Sequence, residues 1–571
     1  MSMQAPLSHI PDAQSMVTNV GLRLTATAAR NPDGVAVAEA LRGKRSGRRR
    51  YRQVTFGELD QDSSRIASGL VARGVTPGTR LALMVRPGVD FIALVFALFK
   101  AGAVAVLIDP GMGRRNLIRC LEEAQPDGFV ALPAVHAARV FLRRRFPQAR
   151  HNVTVGRRWF WGGETLEQLR RESHPPLTPA PTRADDPAAI IFTTGSTGPP
   201  KGVLYCHGNF ERQTDAIRDF YGIQPGEIDI AAFPLFALFN APMGVTTVIP
   251  HMDFTRPSQA DPGNIVEAIQ DWQATQAFGS PALWNVVGRH CQQRGVRLTS
   301  LRRVLSAGAP VPLHVLQRMK EAIHPDGEVH TPYGATEALP VASIGAAEVL
   351  AETASRSREG AGTCVGRRFP GIEWRVIRIS DEPIERGQDA EPLPRGEIGE
   401  LMVRGPVVTR RYVTRCEANA HHKVPDGETF WHRMGDVGYL DEQDRFWFCG
   451  RKSHRVLTPQ GPLYTIPCEA ILNQHPRVYR SALVGVGEAG KQRPVLIAEL
   501  WPEHRPRSAT DRAELVGQLR QLAKQYPLTR CIDDVLIHPA MPVDIRHNAK
   551  IFREQLAAWA AVQLQAGAVA K

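Results

Sequence analysis

What this 571-residue chain lacks narrows its chemistry before any motif is considered. The eight cysteines (Cys120, Cys206, Cys291, Cys364, Cys416, Cys449, Cys468 and Cys531) include no CxxC pair and no Cys/His group at zinc spacing. A structural zinc site is therefore not expected, and scattered free thiols fit a reducing, cytoplasmic setting. Met1–Val20 has no basic start followed by an apolar core, so no secretory leader is expected. Phe91–Ile108, the most apolar window, is interrupted by Lys100 and Gly102 and reads as a helix turning into a strand rather than a membrane span. No internal repeat is visible. The net charge is +13, but no aromatic-interleaved basic sheet or nucleic-acid module accompanies it, which argues against a nucleic-acid partner. The excess sits in two clusters, Arg42–Arg52 and Arg143–Arg158, expected as solvated surface excursions with at most a peripheral role at a membrane or a protein partner.

A chain of this length outgrows one core and should divide into domains. Phe56–Gly74 has helical periodicity with glycine at its end, Arg80–Val85 reads as a buried strand, and the next helix and strand stop at Asp109-Pro110. This alternation predicts an α/β sheet with mostly parallel strands. Ser173–Pro187 holds five prolines in fifteen residues and reads as a linker. Beyond it come a helix over 209–221, an apolar strand and turn over 228–239, a helix over 265–272, a strand over 276–280, and a strand–turn–helix start over 304–312. Residues 372–411 alternate as in a small β subdomain. A boundary is expected near Gly450–Ser453, dividing a large N-terminal part, 1–450, from a small α/β unit, 451–571, with strands at 482–486 and 495–500.

The most informative stretch is Ile190–Gly202, IIFTTGSTGPPKG. An apolar strand feeds a loop in which Gly195 and Gly198 permit close backbone approach. Thr193, Thr194, Ser196 and Thr197 add hydroxyl donors, and Lys201 adds a positive charge. Such a loop can cradle a polyphosphate. It is not a Walker P-loop, since Pro200 and Gly202 stand where that pattern needs glycine and Ser/Thr. The loop resembles the signature of the adenylate-forming superfamily of acyl-CoA synthetases, luciferases and peptide-synthetase adenylation domains, where it wraps the β- and γ-phosphates of ATP.

Further stretches carry the same resemblance. Ser306–Pro310 (SAGAP) and Tyr333-Gly334-Ala335-Thr336-Glu337 follow at a spacing like the superfamily's. The resemblance implies that Gly308, Ala309, Pro310 and Tyr333 flank adenine, that Gly334 also borders the nucleotide, that Thr336 meets the α-phosphate, and that Glu337 holds Mg²⁺, a cation that takes one or two protein oxygens beside phosphate oxygens. Met434-Gly435-Asp436 with Gly450-Arg451 resembles the pair that engages the ribose hydroxyls. Lys550 resembles the catalytic lysine that reaches the substrate carboxylate from a small mobile C-terminal α+β domain, although Ala549 replaces the usual glycine before it. Ser453 stands at the hinge, where Asp or Lys is usual. The implied fold is a large N-terminal domain of two α/β subdomains and a small β subdomain, followed by the mobile domain; the implied cofactors are ATP and Mg²⁺.

Coenzyme A is the family's common acyl acceptor, so an acyl-CoA or fatty acyl-AMP ligase is one reading, and a catalytically silent scaffold or lipid-binding subunit another. In PLFALFNAPMG (Pro234–Gly244) the histidine that commonly follows the phenylalanine is replaced by Ala237 and Leu238. DIAAFPLFALFNAPMG (Asp229–Gly244), with YCHGNF (Tyr205–Phe210), YGATEALPVASI (Tyr333–Ile344) and PVDIRHNAK (Pro542–Lys550), is similar to the olefin β-lactone synthetases of bacterial long-chain hydrocarbon biosynthesis. The likeness implies adenylation of a 2-alkyl-3-hydroxyalkanoic acid and closure by its own 3-hydroxyl, with a reductase and a β-lactone decarboxylase as assembly partners. Phe233, Phe236, Leu238, Phe239 and Met243 are candidates for an alkyl pocket or for core. His207 and His547 lie in motif stretches and are read first as structural.

Overall fold

The computed structural model describes residues 17–45, 48–172, 175–193, 198–543 and 550–569. Two large sheets dominate. A seven-stranded sheet holds parallel strands Arg80–Met84, Val104–Leu107, Gly128–Ala131 and His151–Thr154, and ends in the hairpin Pro187–Phe192/Gly202–Cys206. A nine-stranded sheet runs parallel through Ile228–Ala231, Thr246–Ile249, Gln276–Gly279, Arg303–Ser306 and Glu328–Ala335, then turns back in Ala338–Gly345. The mixed α/β class expected from the alternation is the observed one.

Helix Phe56–Ala72 starts at a capping box in which Thr55 and Glu58 satisfy each other's backbone N–H groups. It packs on helix Val89–Lys100, which is apolar on every side beyond Asp90 and buried from Phe91 to Lys100. Lys100 is 0% exposed, and its ammonium donates to Asp60 Oδ1 (2.6 Å), the Asp60 carbonyl (2.9 Å), Ser63 Oγ (2.8 Å) and Ser64 Oγ (2.9 Å). The lysine that breaks the apolar run is thus the polar bolt between two helices. The proline-rich stretch is fastened rather than loose, since the Ala180 N–H donates to the Lys100 carbonyl at 2.8 Å.

Three expectations are corrected. Residues 42–52 are mostly strand: Val35–Arg45 and Arg48–Thr55 form an antiparallel hairpin at the edge of the larger sheet. Acceptors on helix Pro262–Trp272 meet it, with Arg49 bonding Asn264 and Tyr51 bonding Asp271. In the second basic cluster the arginines are exposed as expected, on either side of the strand His151–Thr154. The turn expected before Phe239 is entered by a helix, Ala237–Met243. The small β unit does not stop at Arg411: Glu373–Ile377 and Gly399–Arg404 continue into Thr429–Leu440 and Phe446–Arg451.

After Arg451 the chain builds the hairpin Val456–Thr458/Gly461–Leu463 and a three-stranded sheet, Val478–Val486, Arg493–Leu500 and Asp534–Ile537. Leu483, Leu496, Leu515 and Leu519 pack on one face of that sheet, and Val484, Ile497 and Leu556 on the other.

Candidate functional site

The loop sequence sits in the hairpin that ends the smaller sheet, with Phe192 opposite Gly202. Thr193 closes its base twice. Its N–H donates to the Lys201 carbonyl and its Oγ1 accepts from the Lys201 N–H, each at 3.0 Å. Gly198 has φ +150°. Thr194, Gly195, Ser196 and Thr197 lie outside the described residues, as does His547.

Strand Arg303–Ser306 delivers the turn containing Gly308 (φ +96°), Ala309 and Pro310 at its carboxyl end, the edge where open α/β sheets bind ligands. Tyr333 and Gly334 are in the neighbouring strand, and Thr336 and Glu337 form the tight turn into Ala338–Gly345. A Cβ on Gly334 would lie 2.6 Å from the Ala338 carbonyl oxygen, so this hairpin requires glycine there.

The third motif is a direct product of strand pairing. Asp436 in Thr429–Leu440 stands opposite Arg451 in Phe446–Arg451, and their side chains meet at 2.9 Å. The Tyr333 hydroxyl donates to the other Asp436 oxygen at 2.5 Å, and Arg451 also donates to the Met434 carbonyl at 3.0 Å. Burial pushes the Asp436 carboxyl up, against the pull of Arg451 and the Tyr333 hydroxyl. Three separate motif residues therefore form one cluster around the buried Asp436 carboxylate.

The element that joins the remaining two was missed in the sequence. Residues 408–414 run between the loop hairpin and the Thr336–Glu337 turn. Val408 bridges Ala338, Tyr412 bridges Val203, Thr409 donates to the Glu337 carbonyl, and Gly202 donates to Thr414 Oγ1 at 2.8 Å. This crossing places Tyr412 between the two motifs. Its hydroxyl donates to Glu337 Oε1 at 2.6 Å, and its ring lies 4.8 Å from the Lys201 ammonium. Lys201 also donates to His422 Nε2 at 3.1 Å, while His422 Nδ1 donates to the Arg433 carbonyl at 3.1 Å. That arrangement fixes a neutral imidazole, and burial carries the His422 pKa down to about 4. Burial lowers the Lys201 pKa too, with Glu337 opposing. Behind them Lys423 donates to the Thr409 carbonyl, and burial pushes its ammonium down to about 7. The signal for Tyr412 stood one residue past the expected end of the small β unit.

The other candidates divide. Leu238, Phe239 and Met243 are buried in the main core. Phe233 and Phe236 are only partly buried, and Phe236 stacks on Phe278 with ring centroids 3.7 Å apart. His207 is buried at the start of helix His207–Tyr221, where Nδ1 accepts from the Val20 N–H at 3.3 Å, a structural role. Ser453 is exposed in the turn Lys452–His454; on either side Lys452 bonds the Ser380 carbonyl (2.8 Å) and Arg455 bonds Asp381 (2.7 Å). Lys550 precedes the Val543–Ile551 bridge in the C-terminal part. Among the described residues no group of three or more His, Cys, Asp or Glu forms a metal cluster.

A loop lysine, an Asp–Arg–Tyr group with its carboxylate buried and a turn carboxylate are what an ATP-dependent adenylate-forming enzyme would present. The chain belongs to the family of AMP-binding enzymes, whose model matches residues 24–413, and it is an AMP-forming ligase. It is 46% identical over 558 residues to an olefin β-lactone synthetase of Stenotrophomonas maltophilia, covering 96% of this chain and 99% of the relative. It is likewise 46% identical over 552 residues to an olefin β-lactone synthetase of Xanthomonas campestris, covering 95% and 98%. The fold is shared with the o-succinylbenzoate coenzyme A synthetase of Bacillus subtilis solved with ATP and magnesium ion, at a TM-score of 0.72, 21% identity and coverage of 94% and 98%.

Proposed function

We propose that this protein is an ATP-dependent β-lactone synthetase acting on a long-chain 2-alkyl-3-hydroxyalkanoic acid in olefin biosynthesis. The observation that carries the reading is the 46% identity running through almost the whole of both chains for each of two such synthetases. In the first half-reaction a carboxylate oxygen attacks the α-phosphorus of ATP, and pyrophosphate leaves to give the acyl-adenylate. In the second, the substrate's own 3-hydroxyl oxygen attacks the acyl carbon and gives up its proton, AMP leaves, and a four-membered lactone closes. An internal nucleophile needs no second acceptor site, and holding it beside the carbonyl supplies much of the rate.

The loop from Thr193 to Lys201 would hold the β- and γ-phosphates, and Lys201 offsets their charge. Gly308, Ala309, Pro310 and Tyr333 would bound the adenine, with Gly334 beside the nucleotide and Asp436 and Arg451 at the ribose. Thr336 would meet the α-phosphate and Lys550 the reacting carboxylate, with Ser453 in the pivot. Glu337 suits a Mg²⁺ ion, because Tyr412 fixes one carboxylate oxygen while the other makes no hydrogen bond among the described residues. When bound, the ion would neutralise phosphate charge. Handover from a reductase and to a β-lactone decarboxylase, in a reducing cytoplasm, completes the reading. Among the described residues no helix is long and apolar enough to cross a membrane.

Mass spectrometry of products from ATP, Mg²⁺ and a synthetic 2-alkyl-3-hydroxy acid, with and without coenzyme A, tests it. A product lighter than the acid by one water, formed without coenzyme A and with AMP, is expected. A thioester formed only with coenzyme A refutes it. Lys550→Ala should abolish pyrophosphate release; unchanged release removes Lys550 from the mechanism.

A further inference from the structure

The active site uses neither of the two features that stand out on the edge of the seven-stranded sheet. Among the described residues the strongly exposed aromatic side chains are Phe141, Trp159 and Phe160, at 84%, 62% and 67%, and all fall between positions 141 and 160. Arginines are concentrated on the same short length of chain. Arg143, Arg144, Arg145, Arg150, Arg157 and Arg158 are all exposed. Only Arg145 has an acidic partner, Glu122 at 2.9 Å; Arg158 donates to the Gly163 carbonyl, and the rest meet no carboxylate among the described residues.

The geometry makes this a presented surface rather than a frayed loop. Trp161 is buried and anchored: its Nε1 donates to Thr154 Oγ1 at 2.9 Å and its ring stacks on His136 of helix Pro133–Phe141. Trp159 and Phe160 lie against that base, with ring centroids 5.5 and 5.3 Å from Trp161. Gly156, Gly162 and Gly163, all at positive φ, turn the chain on either side. The same helix ends at Phe141 and passes directly into the turn Arg143–Arg145.

We infer that this surface is a docking site for an anionic lipid bilayer. Aromatic side chains held out into solvent have nothing to gain in water but partition into the headgroup region of a membrane, and unpaired arginines around them supply the attraction to anionic lipid. A folded acidic protein would satisfy the charges, yet it would require apolar pockets for three aromatics, whereas a bilayer accepts them without a matching shape. The inference is independent of the lactone reading, because no residue in it belongs to the nucleotide site.

The test is sedimentation of the full chain with vesicles of phosphatidylglycerol and, separately, of phosphatidylcholine, with tryptophan emission recorded on the same samples. Binding to the anionic vesicles, with a blue shift and loss at high salt, is expected. A Trp159→Ser/Phe160→Ser variant and an Arg157→Gln/Arg158→Gln variant should each weaken binding about tenfold or more, with thermal unfolding unchanged. Absence of binding by the parent overturns the inference, as do equal affinities of parent and variants. A change of oligomeric size in the variants with no vesicle binding also overturns it and reassigns the surface to protein contact.

Discussion

Tyr412 is the residue on which two motifs converge, and its hydroxyl is the only group bonded to the Glu337 carboxylate among the described residues. Tyr412→Phe keeps the ring beside Lys201 but frees that carboxylate. Pyrophosphate release should fall about tenfold, the scale of losing one hydrogen bond to a charged group, with a raised requirement for Mg²⁺ in a metal titration. A normal rate at all Mg²⁺ concentrations would remove the tyrosine from the site. His422→Ala takes away the imidazole that Lys201 donates to; the expected effect is a higher KM for ATP with the thermal midpoint little changed. His207 makes a different prediction. Burial lowers its pKa to about 4, below the ordinary value near 6.5, so it favours the fold fully above pH 6.5 and that contribution is lost as pH falls towards 4. At pH 5 the loss is roughly 2 kcal/mol. His207→Asn lacks it, so its urea midpoint should approach the parent's between pH 7 and pH 5; a constant gap would show that His207 does not titrate in this range.

Elements whose partners are close in sequence were the legible ones. The glycine-ended helix that begins at Phe56 and the Asp436/Arg451 pair are each set by residues within a short stretch of one another, and local pattern suffices. Reading failed where long-range contact decides. Seven basic residues between Arg42 and Arg52 suggested a solvated loop, yet Arg49 and Tyr51 have partners on a helix more than two hundred positions later. Tyr412 was invisible for the same reason, and core and pocket could not be told apart at Leu238, Phe239 and Met243, because both call for apolar side chains. Lys100 looked like a blemish in an apolar helix. The ammonium has four acceptors on helix Phe56–Ala72, so Lys100→Ala should cost about 3 kcal/mol by taking the cation from the Asp60 carboxylate and leaving a hole between the two helices. A loss below about 1 kcal/mol on urea unfolding would show that water reaches the site and replaces the ammonium.

On the scale of the molecule, the chain after Arg451 has hydrophobic clusters of its own, built on its own sheet. Its last helix, Arg553–Val569, is tied down by Arg553, which is paired with the buried Glu469 carboxylate. Calorimetry should therefore resolve more than one transition. Glu469→Gln should lower one of them while the nucleotide-side transition holds, since separate cores unfold separately. A single transition shifted as a whole would mean that the two parts melt as one.

Residues 408–414 bear on any attempt to recombine this chain with a relative. The crossing sews Gly202, Val203, Glu337 and Ala338 to one seven-residue strip, so a junction between 207 and 336 would hand a foreign turn and strip to a native loop, and one between 338 and 408 a foreign strip to a native loop and turn. Inheritance of the nucleotide site is thus all or nothing over 202–414, while crossovers in the turn Lys452–His454 leave that block whole. Chimeras cut at the turn should retain ATP-dependent pyrophosphate release, and chimeras cut inside the block should lose it even when every signature motif is present.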